Sequence, residues 1–279
     1  MACKCKKNIF GDMQVQFKYF LFYVVLITSF TVIACSDDGN PTTTLEELSS
    51  SVALSSESKK EQSSSSYYKE NWDYLNPEID YGEMKDERDG QIYKTVKIGT
   101  QTWMAENLNF DVDDSFCYND SIKYCNKYGR LYPWRVAMDS VGKFSSGGKG
   151  CGVGTFCSPT FPVRGVCPKG WHLPSYVEWE RLFKVEPGAG NVFALRAKNG
   201  WEKNRNGYDT YGFSALPAGE LSSGFYGGDA YFWSSSEYEV DGEYSGKWLA
   251  YSVQSNESDY FLDYNRSKDE GFSVRCVKD

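Results

Sequence analysis

Six cysteines between residues 117 and 276 constrain the fold more than any other feature of this sequence. An even number of cysteines in an exported chain indicates disulfide bonds. Among the possible pairings, two short loops and one long closure give the simplest arrangement, namely Cys117–Cys125, Cys151–Cys157 and Cys167–Cys276. A metal site is the alternative, but the six cysteines contain no close C-x-x-C pair.

The N-terminal segment is typical of bacterial export signals. Four lysines precede an uncharged stretch over residues 19–34, which is shorter than the roughly 20 apolar residues that span a bilayer. The stretch ends in Val32-Ile33-Ala34-Cys35, which resembles a lipobox. That resemblance implies cleavage after residue 34 and acylation of Cys35. A short transmembrane anchor is the alternative interpretation.

A serine-rich segment follows the anchor. Ten of the eighteen residues from 49 to 66 are serine, and such a segment cannot bury enough surface to offset its ordering entropy. We therefore expect a signal peptide over residues 1–34, a flexible tether over residues 35–77 and a folded domain over residues 78–279. The return of aromatic residues from Tyr67 onward leaves the start of the folded region open between there and Asp86.

The charge balance limits the partners. The formal net charge is -8, and cleavage of the leader removes four lysines and one aspartate, which leaves -11. An acidic body disfavours nucleic acid and anionic lipid surfaces. We expect attachment to membrane lipid through the acyl chains on Cys35, no nucleic-acid partner, and a monomer.

The remaining sequence predicts short strands and two short helices. Ile92–Ile98 alternates after the turn signal Asp89-Gly90, so the domain opens with a strand pair. Ser175 and Glu178 have the spacing of a capping box at the start of a helix over residues 176–183. A second helix is expected over residues 192–198. Later strand candidates are residues 231–233, 248–253 and 272–277, which favours an α+β domain whose terminal strands share a sheet.

Seven blocks of the sequence resemble, in order, the Fibrobacter succinogenes major paralogous domain. They are residues 89–99, 103–108, 128–132, 167–174, 213–219, 232–236 and 273–277. That family is common in exported lipoproteins and has no established reaction. Its blocks are in turn similar to formylglycine-generating enzymes and, more remotely, to C-type lectins. The resemblance implies a C-type-lectin-like or formylglycine-generating-enzyme-like α+β fold with the terminal strands together, and it supports the pairing of Cys167 with Cys276. The sequence beyond Trp201 is rich in glycine, serine and tyrosine, which predicts long loops there.

This sequence lacks the residues on which the activities of those similar families depend. Formylglycine-generating enzymes use two neighbouring cysteines near the C-terminus, whereas Cys276 stands alone. Calcium-binding lectins use a Glu-Pro-Asn or Gln-Pro-Asp loop and a Trp-Asn-Asp strand, and Trp233-Ser234-Ser235 offers only hydroxyl groups. We therefore expect no cofactor.

One weak calcium candidate lies near the C-terminus. Asp263, Asn265, Ser267 and Asp269 have the oxygen spacing of an EF-hand loop. However, Lys268 occupies the position of the turn glycine, and Val274 occupies that of the closing glutamate. We interpret the run as a solvated acidic loop rather than a metal site.

His172 is the only histidine, which excludes sites that need two imidazoles. It could serve a serine or cysteine nucleophile. Its place directly before a helix start favours a packed, hydrogen-bonded role instead. We expect no enzymatic activity, and an enzyme on a formylglycine-generating-enzyme-like scaffold is the alternative.

Aromatic residues are the best candidates for ligand binding. Tyrosine offers rigid contact area with a polar end, which suits sugar rings and protein surfaces. Trp103, Trp171 and Trp233 lie in the resembling blocks, and Trp179 ends the WHLP-x-x-x-EW motif of the same family that begins at Trp171. All four are expected to pack in the core, although Trp233 is also kept as a ligand candidate. The candidate ligand-binding residues are Tyr226, Tyr231, Trp233, Tyr238, Tyr244, Tyr260 and Tyr264.

These observations predict an exported lipoprotein, anchored in the bacterial envelope at the outer membrane or cell surface. Its disulfide-bonded domain would bind a polysaccharide or another envelope protein without catalysis. A purely structural envelope component is a further alternative.

Overall fold

The computed structural model describes residues 72–188, 191–202, 204–222, 225–238, 249–255 and 262–279. All of them belong to the unit Ser64–Asp279. The predicted signal peptide, Cys35, the first part of the predicted tether, Tyr244 and Tyr260 lie outside the described residues. No described helix is long and apolar enough to span a membrane.

Short strands make up most of the regular structure in these residues. In chain order the strands are β1 (Gly82–Lys85), β2 (Ile92–Ile98), β3 (Gln101–Met104), β4 (Leu131–Pro133), β5 (Trp171–His172), β6 (Glu220–Leu221), β7 (Phe225–Tyr226), β8 (Ala230–Glu237), β9 (Leu249–Ser255), β10 (Leu262–Ser267), β11 (Gly271–Ser273) and β12 (Val277–Lys278). The helices are α1 (Ile122–Tyr128), α2 (Trp134–Ala137), α3 (Tyr176–Phe183) and α4 (Val192–Leu195). The described part of the chain is therefore α+β, as the sequence predicts.

The first sheet has the strand order β1-β2-β3-β12-β5. β2 buries Tyr93 on one face and Val96 and Ile98 on the other, and it exposes Lys97, so its two faces pack into different core clusters. It pairs antiparallel with β1 and with β3, which confirms the predicted opening strand pair. Because β12 pairs with β3 and β5, the first and last strands lie in one sheet, as predicted.

The second sheet has the order β10-β9-β8-β11-β6-β7, and β4 also pairs with β11. Its pairs are antiparallel except for the parallel contact between β8 and β11. β8 lies inside this sheet, and its first six residues are all buried. Burial of consecutive residues shows that both faces of β8 are covered.

Helix α3 has the predicted boundaries and the predicted cap. The Glu178 carboxylate accepts hydrogen bonds from the backbone N–H and the hydroxyl of Ser175, at 2.8 and 2.7 Å. Trp179 and Leu182 are buried on the inner face. The spacing of cap and apolar residues was therefore sufficient to place this helix.

The second predicted helix is shorter than expected, because α4 ends at Leu195. Arg196 adopts extended backbone and pairs with Ala215 in a parallel bridge. The Arg196 Nε also donates to the Ser255 hydroxyl at 2.7 Å. These long-range contacts stop the helix. Helices α1 and α2 were not predicted, since each is short and neither has a side-chain hydrogen bond at its N-cap.

The strand predicted over residues 272–277 is in fact two strands in two different sheets. β11 belongs to the second sheet and β12 to the first, and residues 274–276 cross between them. The carbonyl of Val274 accepts from Leu108 N at 2.9 Å, and that of Cys276 accepts from Met104 N at 3.0 Å. The single-strand prediction failed because apolar residues alternate with Ser273 and Arg275, so the strand pattern of the sequence continues unbroken through residues 274–276. We call residues 271–278 the crossing segment.

Arg275 occupies the middle of the crossing segment and is fully buried. Its Nε and Nη2 donate to Asn107 Oδ1 at 3.0 and 2.6 Å, and its Nη1 donates to the carbonyls of Met104 and Phe213. The guanidinium also lies 4.5 Å from the centre of the Phe213 ring. Burial lowers the pKa of Arg275 to about 10. The hydrogen bonds offset the cost of burying this charge.

The four tryptophans expected to pack are all buried. Trp103 and Trp179 lie together with 4.8 Å between ring centroids, in a cluster between the first sheet and α3 that also contains Phe213. Trp171 and Trp233 belong to a second cluster. The packing role predicted for these residues is therefore confirmed.

All three predicted disulfides are present. The Cα–Cα distances are 4.9 Å for Cys117–Cys125, 4.8 Å for Cys151–Cys157 and 6.0 Å for Cys167–Cys276. The third bridge closes a sequence separation of 109 residues. It ties the crossing segment to the residues that precede β5.

Residues 72–77, which the sequence assigned to the tether, contact the domain. The Lys94 ammonium lies 4.3 Å from the centre of the Trp72 ring. The Asn76 amide donates to the Asp209 carbonyl at 2.9 Å. The folded domain therefore includes residues 72–77.

We predict that the long bridge stabilises the domain more than a short one. In the chain-entropy description, loops of these lengths correspond to roughly 5 kcal/mol for Cys167–Cys276 and roughly 2.5 kcal/mol for Cys117–Cys125. Urea unfolding of the Cys167→Ala/Cys276→Ala and Cys117→Ala/Cys125→Ala variants measures both losses. Equal losses would contradict the prediction.

Candidate tyrosine-lined binding site

Two of the predicted ligand-binding residues lie in the core. Trp233 is fully buried, and its Nε1 donates to the Tyr132 carbonyl at 2.6 Å. Tyr231 is only 8% exposed, and its ring stacks on Phe272 with 5.2 Å between centroids. Both residues belong to β8, which is covered on both faces. The prediction that these two rings contact a ligand is therefore wrong.

For the other five candidate residues, the ligand-binding role stays a prediction. The backbones of Tyr226 and Tyr264 lie in β7 and β10, but their side chains are outside the description. Tyr238 is half-buried directly after β8. Tyr244 and Tyr260 lie outside the described residues.

The EF-hand-like run does not wrap around an ion. Asp263 and Asn265 belong to β10, and a strand rises about 3.3 Å per residue, so residues 263 and 267 are about 13 Å apart. Calcium ligands must all approach to about 2.3–2.6 Å, which a strand cannot provide. Asp269, in the following turn, accepts a hydrogen bond from Ser267. Among the described residues, no group of three histidine, cysteine, aspartate or glutamate side chains is placed to hold a metal.

His172 is held between two carboxylates. Its Nδ1 lies 2.8 Å from Asp279 Oδ1, and its Nε2 lies 2.8 Å from Glu178 Oε1. The side chain is almost fully buried. Both ring nitrogens are occupied, so this arrangement supports the packed role proposed from the sequence and leaves neither nitrogen free to serve a nucleophile.

The two carboxylates favour the charged imidazolium. Burial by itself lowers the pKa of His172, but its hydrogen bonds to Glu178 and Asp279 outweigh burial and raise the pKa above its ordinary value. Burial would likewise raise the pKa of Glu178, yet its hydrogen bonds with His172 and Ser175 bring that pKa down to about 2. The contacts of His172 with Glu178 and Asp279 therefore hold β5, the start of α3 and Asp279 together.

A surface groove lined by tyrosines lies elsewhere on the domain. It has a volume of about 420 Å³. We call it the tyrosine groove, and its lining residues are Tyr118, Asn119, Tyr124, Lys127, Tyr128, Gly200, Glu202, Pro217, Ala218, Gly227 and Gly228. These residues come from three separate parts of the chain, so only the folded domain forms the groove.

Helix α1 and the turn before it hold the three tyrosines. Tyr124 and Tyr128 are four residues apart on α1, which places both on one face, and their ring planes are parallel within 6° at a centroid distance of 6.0 Å. Tyr118 meets Tyr124 edge-on at 5.3 Å. The Cys117–Cys125 disulfide joins the turn to the helix. Contacts within the protein therefore hold the three rings in this arrangement without a ligand.

Two glycines permit this arrangement. Gly129 ends α1 with φ 77°, and a Cβ there would lie 2.8 Å from the Leu108 carbonyl oxygen. A Cβ at Gly227 would lie 2.7 Å from the Tyr118 hydroxyl. A side chain at position 227 would therefore push Tyr118 out of place.

The polar groups of the tyrosine groove are available to a ligand. Within the described residues, no hydrogen bond is made by the hydroxyls of Tyr118, Tyr124 and Tyr128. Burial, together with the two neighbouring tyrosines, raises the pKa of Tyr118, so its hydroxyl stays protonated. Lys127 and Glu202 contribute one charge of each sign. The groove thus combines flat apolar faces with neutral donors and acceptors.

Sequence reasoning missed these three tyrosines. The available signal was the spacing of Tyr124 and Tyr128 beside a short disulfide loop. That signal has meaning only on a helix, and α1 was not predicted. The sequence instead points to the tyrosine-rich region after residue 221, which contributes Gly227 and Gly228 to the groove wall.

We predict a pH dependence for the histidine contact. Because the His172 pKa is raised, its stabilisation is complete below about pH 6.5 and is lost as pH rises through the raised pKa. Because the Glu178 pKa is lowered to about 2, its stabilisation is complete above about pH 4.5 and is lost as pH falls towards 2. Urea unfolding should therefore show His172→Gln destabilised most between about pH 4.5 and 6.5, by roughly 1.5–3 kcal/mol.

The control for this prediction is Lys184→Gln, which removes an exposed charge at the end of α3. Its effect should be small at every pH. A loss in His172→Gln that is constant from pH 4 to pH 9 would contradict the assignment.

The comparison with protein families agrees with the resemblance seen in the sequence. Residues 96–278 match the Fibrobacter succinogenes major domain. No curated protein and no solved structure matches the chain. The match covers more than half of the chain and includes β3, α3, β8 and the crossing segment. The chain therefore belongs to the Fibrobacter succinogenes major domain family.

Proposed function

We propose that this protein is a lipoprotein of the bacterial envelope whose domain binds a polysaccharide, without catalysis, in the tyrosine groove. The observation that carries the proposal is the groove itself, which has a volume of about 420 Å³. Three tyrosines line it, and their hydroxyls make no hydrogen bond within the described residues. Ligand sites of this kind combine apolar faces with a few placed polar groups. A pyranose ring has the matching chemistry, with a C–H face and a rim of hydroxyls.

The charges of the groove favour an uncharged glycan. Lys127 and Glu202 balance each other, so neither an acidic nor a basic sugar gains net attraction there. The acidic charge of the whole chain adds repulsion for acidic polysaccharides. We therefore expect a neutral polysaccharide as the ligand.

The fold supports the same proposal at a coarser level. The terminal strands share a sheet, and the Cys167–Cys276 disulfide links the crossing segment to β5. These are the features that the resemblance to formylglycine-generating enzymes and C-type lectins implies. We propose a lectin-like architecture on this basis. The alternatives of an enzyme on this scaffold and of a structural component draw no support from a specific contact in the described residues.

We predict that the tyrosine rings determine glycan binding. Loss of each ring in Tyr124→Ala and Tyr128→Ala should weaken binding about tenfold, because each removes an aromatic face from the ligand. Retention on insoluble neutral polysaccharides and binding to a glycan array provide the measurement. Gly227→Ala should have a similar effect by displacing Tyr118.

The matched control is Tyr208→Ala, which removes a tyrosine that is 70% exposed and lies outside the groove. It should bind like the unchanged protein. Failure of the protein to bind any neutral glycan, or equal binding by Tyr124→Ala, would overturn the glycan proposal.

We predict that Cys35 carries the membrane anchor. Metabolic labelling with an alkyne-tagged fatty acid should label the protein in a bacterial host, and Cys35→Ser should abolish the label and release the protein from membranes. Cys5→Ser serves as a control, because it removes a leader cysteine that lies outside the lipobox. Labelling that persists in Cys35→Ser would contradict the lipoprotein assignment.

A further inference from the structure

A second groove of about 560 Å³ lies at the start of α3, and its residues are not those of the tyrosine groove. One wall is the loop after the Cys151–Cys157 disulfide, with Pro159, Phe161 and Pro162. The other wall is the exposed side of α3, with Val177 and Arg181. We call this site the proline groove, and its lining is completed by Cys157, Ser175, Glu178, Ser236 and Glu237. Its volume is in the range of pockets that hold drug-sized ligands.

A buried ion pair holds the residues that lead into the loop wall. The ammonium of Lys268 is paired with the Glu237 carboxylate, and it donates to the Gly152 and Thr155 carbonyls at 3.3 and 3.1 Å. Glu237 also accepts from Cys157 N at 2.9 Å. Lys268 is fully buried. The loop wall therefore begins at an anchored segment, which reduces the entropic cost of binding.

The surface of the proline groove is unusually apolar for an exposed site. Phe161 is 54% exposed and Val177 is 52% exposed, and they line the groove together with the two prolines. Large apolar side chains grouped on a surface mark interaction sites. Phe161 and the prolines are also rigid, so they lose little freedom on binding.

The polar atoms of the lining are already engaged. Glu178 accepts from Ser175 and contacts His172, and Glu237 is occupied by Lys268 and Cys157. The Ser236 hydroxyl accepts from Tyr176 N at 3.1 Å. A sugar needs partners for many hydroxyls, and this groove offers few. It differs in this respect from the tyrosine groove and suits apolar side chains.

Arg181 is the one lining group with a free charge. In the described part of the chain, its guanidinium has neither an ion pair nor a hydrogen bond, and it is exposed. It is also the only cation among the lining residues. An arginine beside an apolar surface is suited to a carboxylate, which it can hold with two parallel hydrogen bonds.

We propose that the proline groove binds a protein partner through a short peptide segment in which an acidic residue stands next to a large apolar residue. The carboxylate of that segment pairs with Arg181, and the apolar side chain packs against Phe161 and Val177. The two grooves therefore have different ligands, a glycan in the tyrosine groove and a peptide in the proline groove. This assignment does not rest on the glycan proposal.

The experiment uses an array of all tetrapeptides built from Asp, Glu, Asn, Gln, Leu, Phe and Ser, with the full-length protein in detergent as the binder. Peptides that place Asp or Glu beside Leu or Phe should bind about tenfold better than their Asn and Gln counterparts. Arg181→Gln should abolish that preference, and Phe161→Ala should lower binding to the whole set.

Matched controls are available on the same surfaces. Lys184→Gln removes a cation from the end of α3, and Phe156→Ala removes a phenylalanine that is 65% exposed and lies outside the groove lining. Both should bind peptides like the unchanged protein, as should Tyr124→Ala. All these side chains except Tyr124 are exposed, and equal unfolding midpoints would confirm that the variants fold.

Three results would overturn the proposal. The first is no binding to any peptide above background. The second is peptide binding that Arg181→Gln and Phe161→Ala leave unchanged. The third is binding of an acidic oligosaccharide, such as oligogalacturonate, that Arg181→Gln abolishes while no peptide binds.

Discussion

The crossing segment, residues 271–278, is the constraint on which the rest of this fold depends. β11 belongs to the second sheet and β12 to the first, and only three residues lie between the two strands. Between them, Arg275 fills the buried space beside Asn107, and Cys276 is bonded to Cys167. Hydrogen bonds, a charge and a covalent bridge therefore act at one place, and both sheets meet there.

The motifs that identify the family build this scaffold. Asn107 holds Arg275, Trp233 donates to the backbone of Tyr132, and His172 binds the start of α3 to the C-terminus. Each of these side chains is buried and has its partner inside the protein. Recognising the family therefore reveals how the domain is held together. The two grooves lie at positions that the blocks leave mostly free, on α1, on the exposed face of α3 and on the loop after Cys157.

The features that could be predicted from the sequence depend on local spacing. The cap of α3 needs only Ser175 and Glu178, and two of the disulfides close short loops. The features that could not be predicted join distant residues. Asn107 and Arg275 are separated by 168 positions, and the break between β11 and β12 lies inside a uniformly buried segment. Tyr231 and Trp233 misled the search for a ligand site, because the tyrosine-rich composition around them does not reveal that β8 is covered on both faces.

Native-state hydrogen exchange tests the central role of the crossing segment most directly. The amides of Met104 and Leu108 donate to the carbonyls of Cys276 and Val274, so they report on whether the segment detaches. We predict that both amides exchange only through global unfolding, with a free energy that falls with denaturant like that of the whole domain. Exchange of these amides at a lower free energy that is independent of denaturant would show local detachment, and it would contradict the account.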